Sequence, residues 1–126
     1  MAKKYTRKLE PINNQSELEE VIQSTGPWFV GKFMMEFVDS FECFDTKDKK
    51  NQFMDYFYND YVESLCAKKE ALAKANSALR IIESGMVAEA MEYVLKVADC
   101  DDVKSGATQL LKSLEDGSVV LPRFER

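Results

Sequence analysis

The sequence contains no histidine, and its few cysteines are also informative about which sites it can form. Histidine is the usual general base near neutral pH and the commonest zinc ligand, so Ser–His or Cys–His nucleophile pairs and histidine-based zinc sites are excluded. Three scattered cysteines without a CxxC pair cannot form a four-cysteine zinc site. Catalysis through paired carboxylates or a perturbed lysine stays open. We expect a protein without metal or cofactor and favour a non-enzymatic role.

The cysteine count and the lack of long apolar runs also bear on location. An odd number of widely spaced cysteines favours reduced thiols, and therefore a cytoplasmic protein, over a disulfide framework. The first residues, MAKKYTRKLEP, are charged but precede no apolar segment, so no signal peptide is predicted. Uninterrupted apolar stretches are far shorter than the roughly 20 residues of a membrane-spanning helix. We expect no membrane partner.

The net charge of −5 is distributed unevenly along the chain. Positions 11–65 carry eleven acidic residues against four lysines. Phosphate contacts need clustered lysine and arginine, so this acidic body argues against broad nucleic-acid binding. A basic tip precedes it, formed by Lys3, Lys4, Arg7 and Lys8. We expect direct contact with nucleic acid at most through these four residues, and a solvated terminus is the simpler interpretation of them.

Aromatic residues at helical spacing are the main positive feature of the sequence. Eleven of the fourteen aromatic residues lie between Trp28 and Tyr61. Most of these rings recur every four residues, in two groups: Phe29, Phe33, Phe37, Phe41 and Phe44, and then Phe53, Phe57 and Tyr61. Residues four apart share one face of a helix. The spacing predicts two amphipathic helices that form a hairpin zipped by rings.

The first two helices are bounded by capping and breaking residues. Ser16 and Glu19 form a capping box before a short helix that ends at Gly26. The second helix is predicted from Pro27 to about Phe44, because proline suits the first helical turn. The segment 26–32 also matches the phosphate-binding pattern G-x-x-x-x-G-K. Its bulky residues, its proline and the phenylalanine in place of serine or threonine favour a helix start over a nucleotide-binding loop.

The segment Lys47–Ser84 contains neither proline nor glycine. It is either one long helix or two helices with a break near Asn59–Asp60 or near Ser64. Asp45 or Thr46 can cap its start. Gly85 is a suitable residue to end it.

Two further helices complete the predicted fold. One ends near Ala98, and the last is capped by Asp101 or Asp102 and closed by Gly117. Ser118–Leu121 is β-prone and can pair with Tyr5–Leu9 as a two-stranded tie between the termini. The prediction is an all-α fold, a compact bundle of five or six helices with a central aromatic-zipped hairpin. It forms one domain over 1–126, with 1–13 and 118–126 as irregular or extended tails.

A second aromatic face on the hairpin is the strongest functional signal. On a helix, Tyr56 and Tyr58 point away from the line of Phe53, Phe57 and Tyr61. Aromatic side chains with polar tips are enriched at protein interfaces. Methionine on the preceding helix adds adaptable apolar surface. Glu36 and Asp39 belong to an acidic stripe on that helix, which is either a contact surface or the solvated back of the phenylalanine ladder. The candidate partner-binding residues are Met34, Glu36, Asp39, Tyr56 and Tyr58.

Taken together, these patterns favour an acidic, non-enzymatic interaction protein. It would be a regulator, adaptor or small subunit that binds another protein or a second copy of itself. One alternative is an acidic inhibitor or decoy occupying a basic site on a nucleic-acid-acting protein, because the charge of residues 11–65 would steer it to a basic cleft. A second alternative is a nucleic-acid-associated subunit that uses the basic termini, including Arg123 and Arg126.

Overall fold

The computed structural model describes residues 12–41, 46–63 and 65–119, which form a bundle of six α-helices. In chain order these are α1 (Gln15–Thr25), α2 (Pro27–Asp39), α3 (Lys47–Phe57), α4 (Lys68–Glu83), α5 (Val87–Val97) and α6 (Asp101–Asp116). A π-helix, Tyr58–Val62, continues α3. The described residues contain no strand, and the prediction of an all-α bundle is confirmed. The tie between Tyr5–Leu9 and Ser118–Leu121 falls mainly on residues outside the described ranges.

Helix α1 begins earlier than the capping pattern indicated. The side chain of Asn14 accepts a hydrogen bond of 2.9 Å from the Glu17 amide, and the Glu17 carboxylate accepts one of 2.9 Å from the Asn13 amide. The predicted pair, Ser16 and Glu19, is therefore wrong. Asparagine caps a helix as well as serine does, and Asn14 with Glu17 offers a similar reciprocal pair two residues earlier.

Helix α2 starts where the sequence predicted and ends sooner. Gly26, at φ 107°, separates α1 from α2, and Pro27 occupies the first helical turn. Segment 27–32 forms the first turns of a helix, so the prediction of a helix start there is confirmed. The helix ends at Asp39, short of the predicted end at Phe44, and residues 42–45 lie outside the described ranges.

The segment after residue 46 is two helices, not one. Thr46 caps α3, because its hydroxyl oxygen accepts a hydrogen bond of 3.1 Å from the Lys49 amide. The π-helix ends at Val62, and α4 begins at Lys68. Of the possibilities that the sequence left open, the break near Ser64 agrees with the turns at residues 63 and 65.

Glycine ends α4 as predicted. Gly85 adopts φ 71° and donates a hydrogen bond to the Ile82 carbonyl, and the Met86 amide bonds the Ile81 carbonyl at 3.1 Å. These two bonds form the Schellman motif, in which a left-handed residue closes the helix.

The start of α6 differs from the prediction. The N-cap is Cys100, and its side chain makes no capping hydrogen bond. Asp101 and Asp102 instead lie in the first turn, where the helix dipole favours negative charge. Gly117, at φ 83°, ends the helix as expected.

Helix α2 is the centre of the bundle. Its backbone packs closely against α1, α4, α5 and α6. Its buried residues are Phe29, Val30, Gly31, Phe33, Met34, Phe37 and Val38. A helix that is apolar on most of its faces is stable only when other helices surround it. Helix α3 is not among the helices whose backbones lie so close to α2, because large rings fill the space between them.

A close crossing of α2 and α6 depends on two glycines. A Cβ atom added to Gly106 would lie 2.7 Å from the carbonyl oxygen of Gly31. A Cβ atom added to Gly31 would lie 2.6 Å from a methyl group of Val103 and 2.8 Å from one of Val94. Such distances are shorter than carbon atoms tolerate, so only glycine permits this crossing.

We expect Gly106→Ala to destabilise the protein by about 1–3 kcal/mol, because the added methyl group meets helix backbone that cannot move aside. In an unobstructed helix the same change stabilises by about 0.5–1 kcal/mol. The free energy of unfolding in urea measures the difference. Ser105→Ala, at the exposed neighbouring position, is the control and should change stability by less than about 0.5 kcal/mol. A stabilising Gly106→Ala would contradict the crossing.

Candidate partner-binding surface

The aromatic hairpin predicted from the sequence is present, with Phe57 at its centre. The Phe57 ring is fully buried and contacts rings from both helices. The centroid distances are 6.0 Å to Phe29, 5.2 Å to Phe33, 5.0 Å to Phe37, 5.8 Å to Phe53 and 5.7 Å to Tyr61. Contacts across the hairpin are edge-to-face, an arrangement that aromatic quadrupoles favour.

Polar contacts tie the other flank of α3 to α4. Lys50 Nζ donates to Asn76 Oδ1 at 2.8 Å, and Lys68 Nζ lies 2.8 Å from Asp55 Oδ1. The hydrogen bond and the charge of Asp55 raise the pKa of Lys68. Both side chains of that ion pair are largely exposed, so it adds little stability. Helix α3 therefore lies between α2 and α4, seated mainly by its buried apolar residues, and its outer side faces solvent.

The π-helix brings two tyrosines together at the surface. In a π-helix the hydrogen bonds join residues five apart, as the Glu63 amide bonds the Tyr58 carbonyl at 2.8 Å. Tyr56 and Tyr61, also five apart, have ring centroids 5.9 Å apart and hydroxyl oxygens 3.4 Å apart. In a regular α-helix they would lie on different faces. The sequence pattern separated Tyr61 from Tyr56 because it assumed an α-helix throughout.

The candidate residues named from the sequence occupy different environments. Tyr56 is exposed over 51% of its surface, whereas Tyr58 is half-buried. Asp39 is exposed and Glu36 is half-buried. Met34 has no exposed surface, so its assignment to the binding surface was wrong. Helices pack against α2 on several sides, and the face that carries Met34 is covered.

Tyr61 lies at the edge of the aromatic core and is electrostatically perturbed. Its ring contacts Phe33 and Phe57, and 40% of its surface remains exposed. The hydrogen bond with Tyr56 and the negative charge of Glu36 raise the pKa of Tyr61 from 10.0 to about 12. The neutral hydroxyl therefore persists to high pH and can serve as a hydrogen-bond donor or acceptor for a partner.

The exposed large apolar side chains of the described residues are all close together in the sequence. They are Tyr56, Tyr61, Leu65 and Leu72. Leu72 lies four residues from both Lys68 and Asn76, the α4 residues that contact α3, so it lies on the same face of α4, beside α3. Leu72 is therefore an exposed apolar side chain on the flank of α3 away from α2. The exposure of Leu65 and Leu72 depends on how the helices pack, so the sequence pattern did not indicate it.

The remaining features of the described residues offer weaker candidates. An open cleft of about 640 Å³ separates α1 from α4 and is lined mostly by polar side chains. Within the described ranges, no group of three or more acidic or cysteine residues could hold a metal ion. The described helices include none with the length and apolar character needed to cross a bilayer.

Cys66 is not poised as a nucleophile. Burial and the nearby charge of Glu70 raise the pKa of the Cys66 thiol, which makes the reactive thiolate scarce at neutral pH. Cys100 is a free, exposed thiol. Cys43 lies outside the described ranges.

Comparison of the chain with protein-family models, with curated proteins and with solved structures finds no match.

We expect one of the five tyrosines to ionise at distinctly higher pH than an unperturbed tyrosine. Because the pKa of Tyr61 is raised on folding, its contribution to stability is complete below pH 10 and is lost as the pH rises towards about 12. Ultraviolet titration of tyrosinate follows this event. Tyr56→Phe removes the hydroxyl partner and should lower the late midpoint.

Tyr93→Phe is the matched control, because the Tyr93 hydroxyl bonds Gln23 on a different part of the surface. It should leave the late transition in place. An unchanged late transition in Tyr56→Phe would show that the two hydroxyls do not interact.

Proposed function

We propose that this protein is a non-enzymatic helical interaction protein, a regulator, adaptor or small subunit. It binds another protein chain through the outer side of α3 and the π-helix. The observation that carries the proposal is the exposed contact between Tyr56 and Tyr61. Tyrosine is enriched at protein interfaces and among the few residues that carry most of the binding energy.

The rigidity of this surface supports the proposal. Tyr61 rests on Phe33 and Phe57, and Tyr56 rests on Tyr61 and Phe53. Side chains held in this way lose little conformational entropy when a partner covers them. Tyrosine also tolerates solvent in the unbound state, because its hydroxyl remains hydrated.

A reduced, cytoplasmic setting fits the same proposal. Both cysteines within the described residues, Cys66 and Cys100, are free thiols. Free thiols are typical of reducing compartments, where disulfides are rare.

The acidic alternative is favoured by a different part of the surface. An open cleft of about 270 Å³ between α1 and α5 is lined by Glu19, Glu89 and Glu92. One basic residue, Lys96, also lines this cleft. Three carboxylates around one cleft could engage a basic site on another protein, as an inhibitor or decoy would. Association through them would weaken steeply with salt. The basic termini on which the second alternative, a nucleic-acid-associated subunit, depends lie outside the described ranges.

We expect Tyr56→Ala to weaken partner association by more than about 1 kcal/mol, because interface energy concentrates in a few aromatic residues. The melting temperature should hardly change, because Tyr56 is exposed over 51% of its surface and its ring contacts with Phe53 and Tyr61 lie at the edge of the aromatic cluster. Affinity capture from native lysate, followed by titration of the captured chain, measures the affinity of the wild type and of Tyr56→Ala. Thermal unfolding measures their melting temperatures.

Glu92→Lys is the discriminating control, because it alters the acidic cleft and leaves the tyrosines intact. Association that survives Glu92→Lys but not Tyr56→Ala supports the proposed surface. The reverse pattern, with strong salt dependence, would favour the acidic alternative and contradict the proposal.

A further inference from the structure

We propose that a second copy of this chain is a partner of the tyrosine surface, through antiparallel pairing of two copies of the segment 47–63 about a two-fold axis. This inference rests on the proposed function, because it uses the same surface. The juxtaposition that supports it is an exposed apolar centre flanked by a basic start and an acidic end on one segment.

One stripe of this segment carries the contacts. Lys49, Gln52, Tyr56 and Asp60 follow one another at spacings of three, four and four residues. Lys49, Gln52 and Tyr56 lie along one side of α3, and all four residues are exposed. The π-helix places Tyr61 next to Tyr56, so Asp60, one position before Tyr61, borders this stripe. The ring of Tyr61 lies against Tyr56 and widens the apolar centre of the stripe.

The charges of the segment are arranged in two opposite blocks. Its first turn holds the exposed Lys47 and Lys49 against a single aspartate. Its end holds Asp60 and Glu63, both exposed. Antiparallel pairing brings the basic start of one copy onto the acidic end of the other, whereas parallel pairing would oppose like charges.

A single two-fold axis satisfies the charged pair and the contact of Tyr56 together. Such an axis makes each interface residue face its counterpart in both directions. The midpoint between Lys49 and Asp60 falls within one residue of the midpoint between Gln52 and Tyr56. An axis at that point therefore pairs Lys49 with Asp60 of the second copy and Tyr56 with Gln52 of the second copy, each pair occurring twice.

The same pair cannot form within one copy. Lys49 and Asp60 are eleven positions apart in a continuous helical segment, which corresponds to about 16 Å at 1.5 Å per residue. Side chains of lysine and aspartate do not span that distance. Any energetic coupling between these two positions consequently has to come from contact between copies.

Sedimentation of the purified full-length chain at increasing concentration tests the pairing. Wild type should be in monomer–dimer equilibrium. Lys49→Glu and Asp60→Lys should each raise the dimer dissociation constant at least tenfold. The double variant Lys49→Glu/Asp60→Lys should recover dimerisation, because the reversed charges face each other again across the axis. Both single changes suit the helix dipole, so the monomer should stay folded.

Mixing provides a second and sharper readout of the antiparallel geometry. A one-to-one mixture of Lys49→Glu with Asp60→Lys should dimerise although neither variant does so alone, since both charged pairs are complementary in the mixed dimer. Lys112→Glu makes the same charge change at an exposed position on α6 and should leave the wild-type dissociation constant unchanged.

Three outcomes would overturn the pairing. The first is a wild type that stays monomeric up to about 1 mM, because a dissociation constant of that size corresponds to only roughly 4 kcal/mol of binding free energy. The second is a double variant that fails to recover dimerisation, and the third is an equal loss of dimerisation in Lys112→Glu. None of these outcomes affects the proposed function if Tyr56→Ala still weakens the binding of a different protein. The proposed function fails separately, when Tyr56→Ala leaves every association intact.

Discussion

The packing of the Phe57 ring among the rings of α2 is the interaction on which the rest of the structure depends. This ring is fully buried and contacts Phe29, Phe33 and Phe37 edge to face. The backbones of α2 and α3 remain far enough apart to hold whole rings between them, so the joint consists of side chains. The apolar area of several buried rings makes this the main term that keeps α3 on the bundle.

The position of α3 in turn determines what the surface offers. Its flank towards α4 is held by an exposed ion pair and one amide contact, which contribute little, so its outer side is available for other chains. The π-helix that follows places Tyr61 next to Tyr56 while Tyr61 still contacts Phe57. One aromatic cluster therefore both stabilises the helix and fixes the orientation of the exposed tyrosines. The interaction surface that we propose is an extension of the core.

The fold was largely predictable because its main signals are local and periodic. The four-residue spacing of phenylalanines predicted the hairpin, and Gly26, Gly85 and Gly117 predicted helix ends that the structure confirms. The errors came from information that spacing does not contain. The burial of Met34 depends on how many helices surround α2, and the choice of Asn14 over Ser16 as a cap depends on competition between two suitable residues.

The candidate surface was predicted only in part, for a related reason. A π-helix has no distinct residue signature, so the contact between Tyr56 and Tyr61 could not be foreseen from helical spacing. The exposure of Tyr56 followed from its position off the phenylalanine line, which is a local property. The exposure of Leu72 depends on the distance between α3 and α4, which only the assembled bundle determines.

Hydrogen exchange of Phe57→Ala, measured amide by amide, tests most directly whether this ring holds α3 on the bundle. We expect amides of α3 and the π-helix to lose about 3–5 kcal/mol of protection, the usual cost of removing a buried phenylalanine ring. Amides of α6, which packs against α2 and α5, should lose distinctly less protection, because α3 would open as a separate unit. Equal loss of protection in both helices, or no loss in α3, would contradict the central role of Phe57.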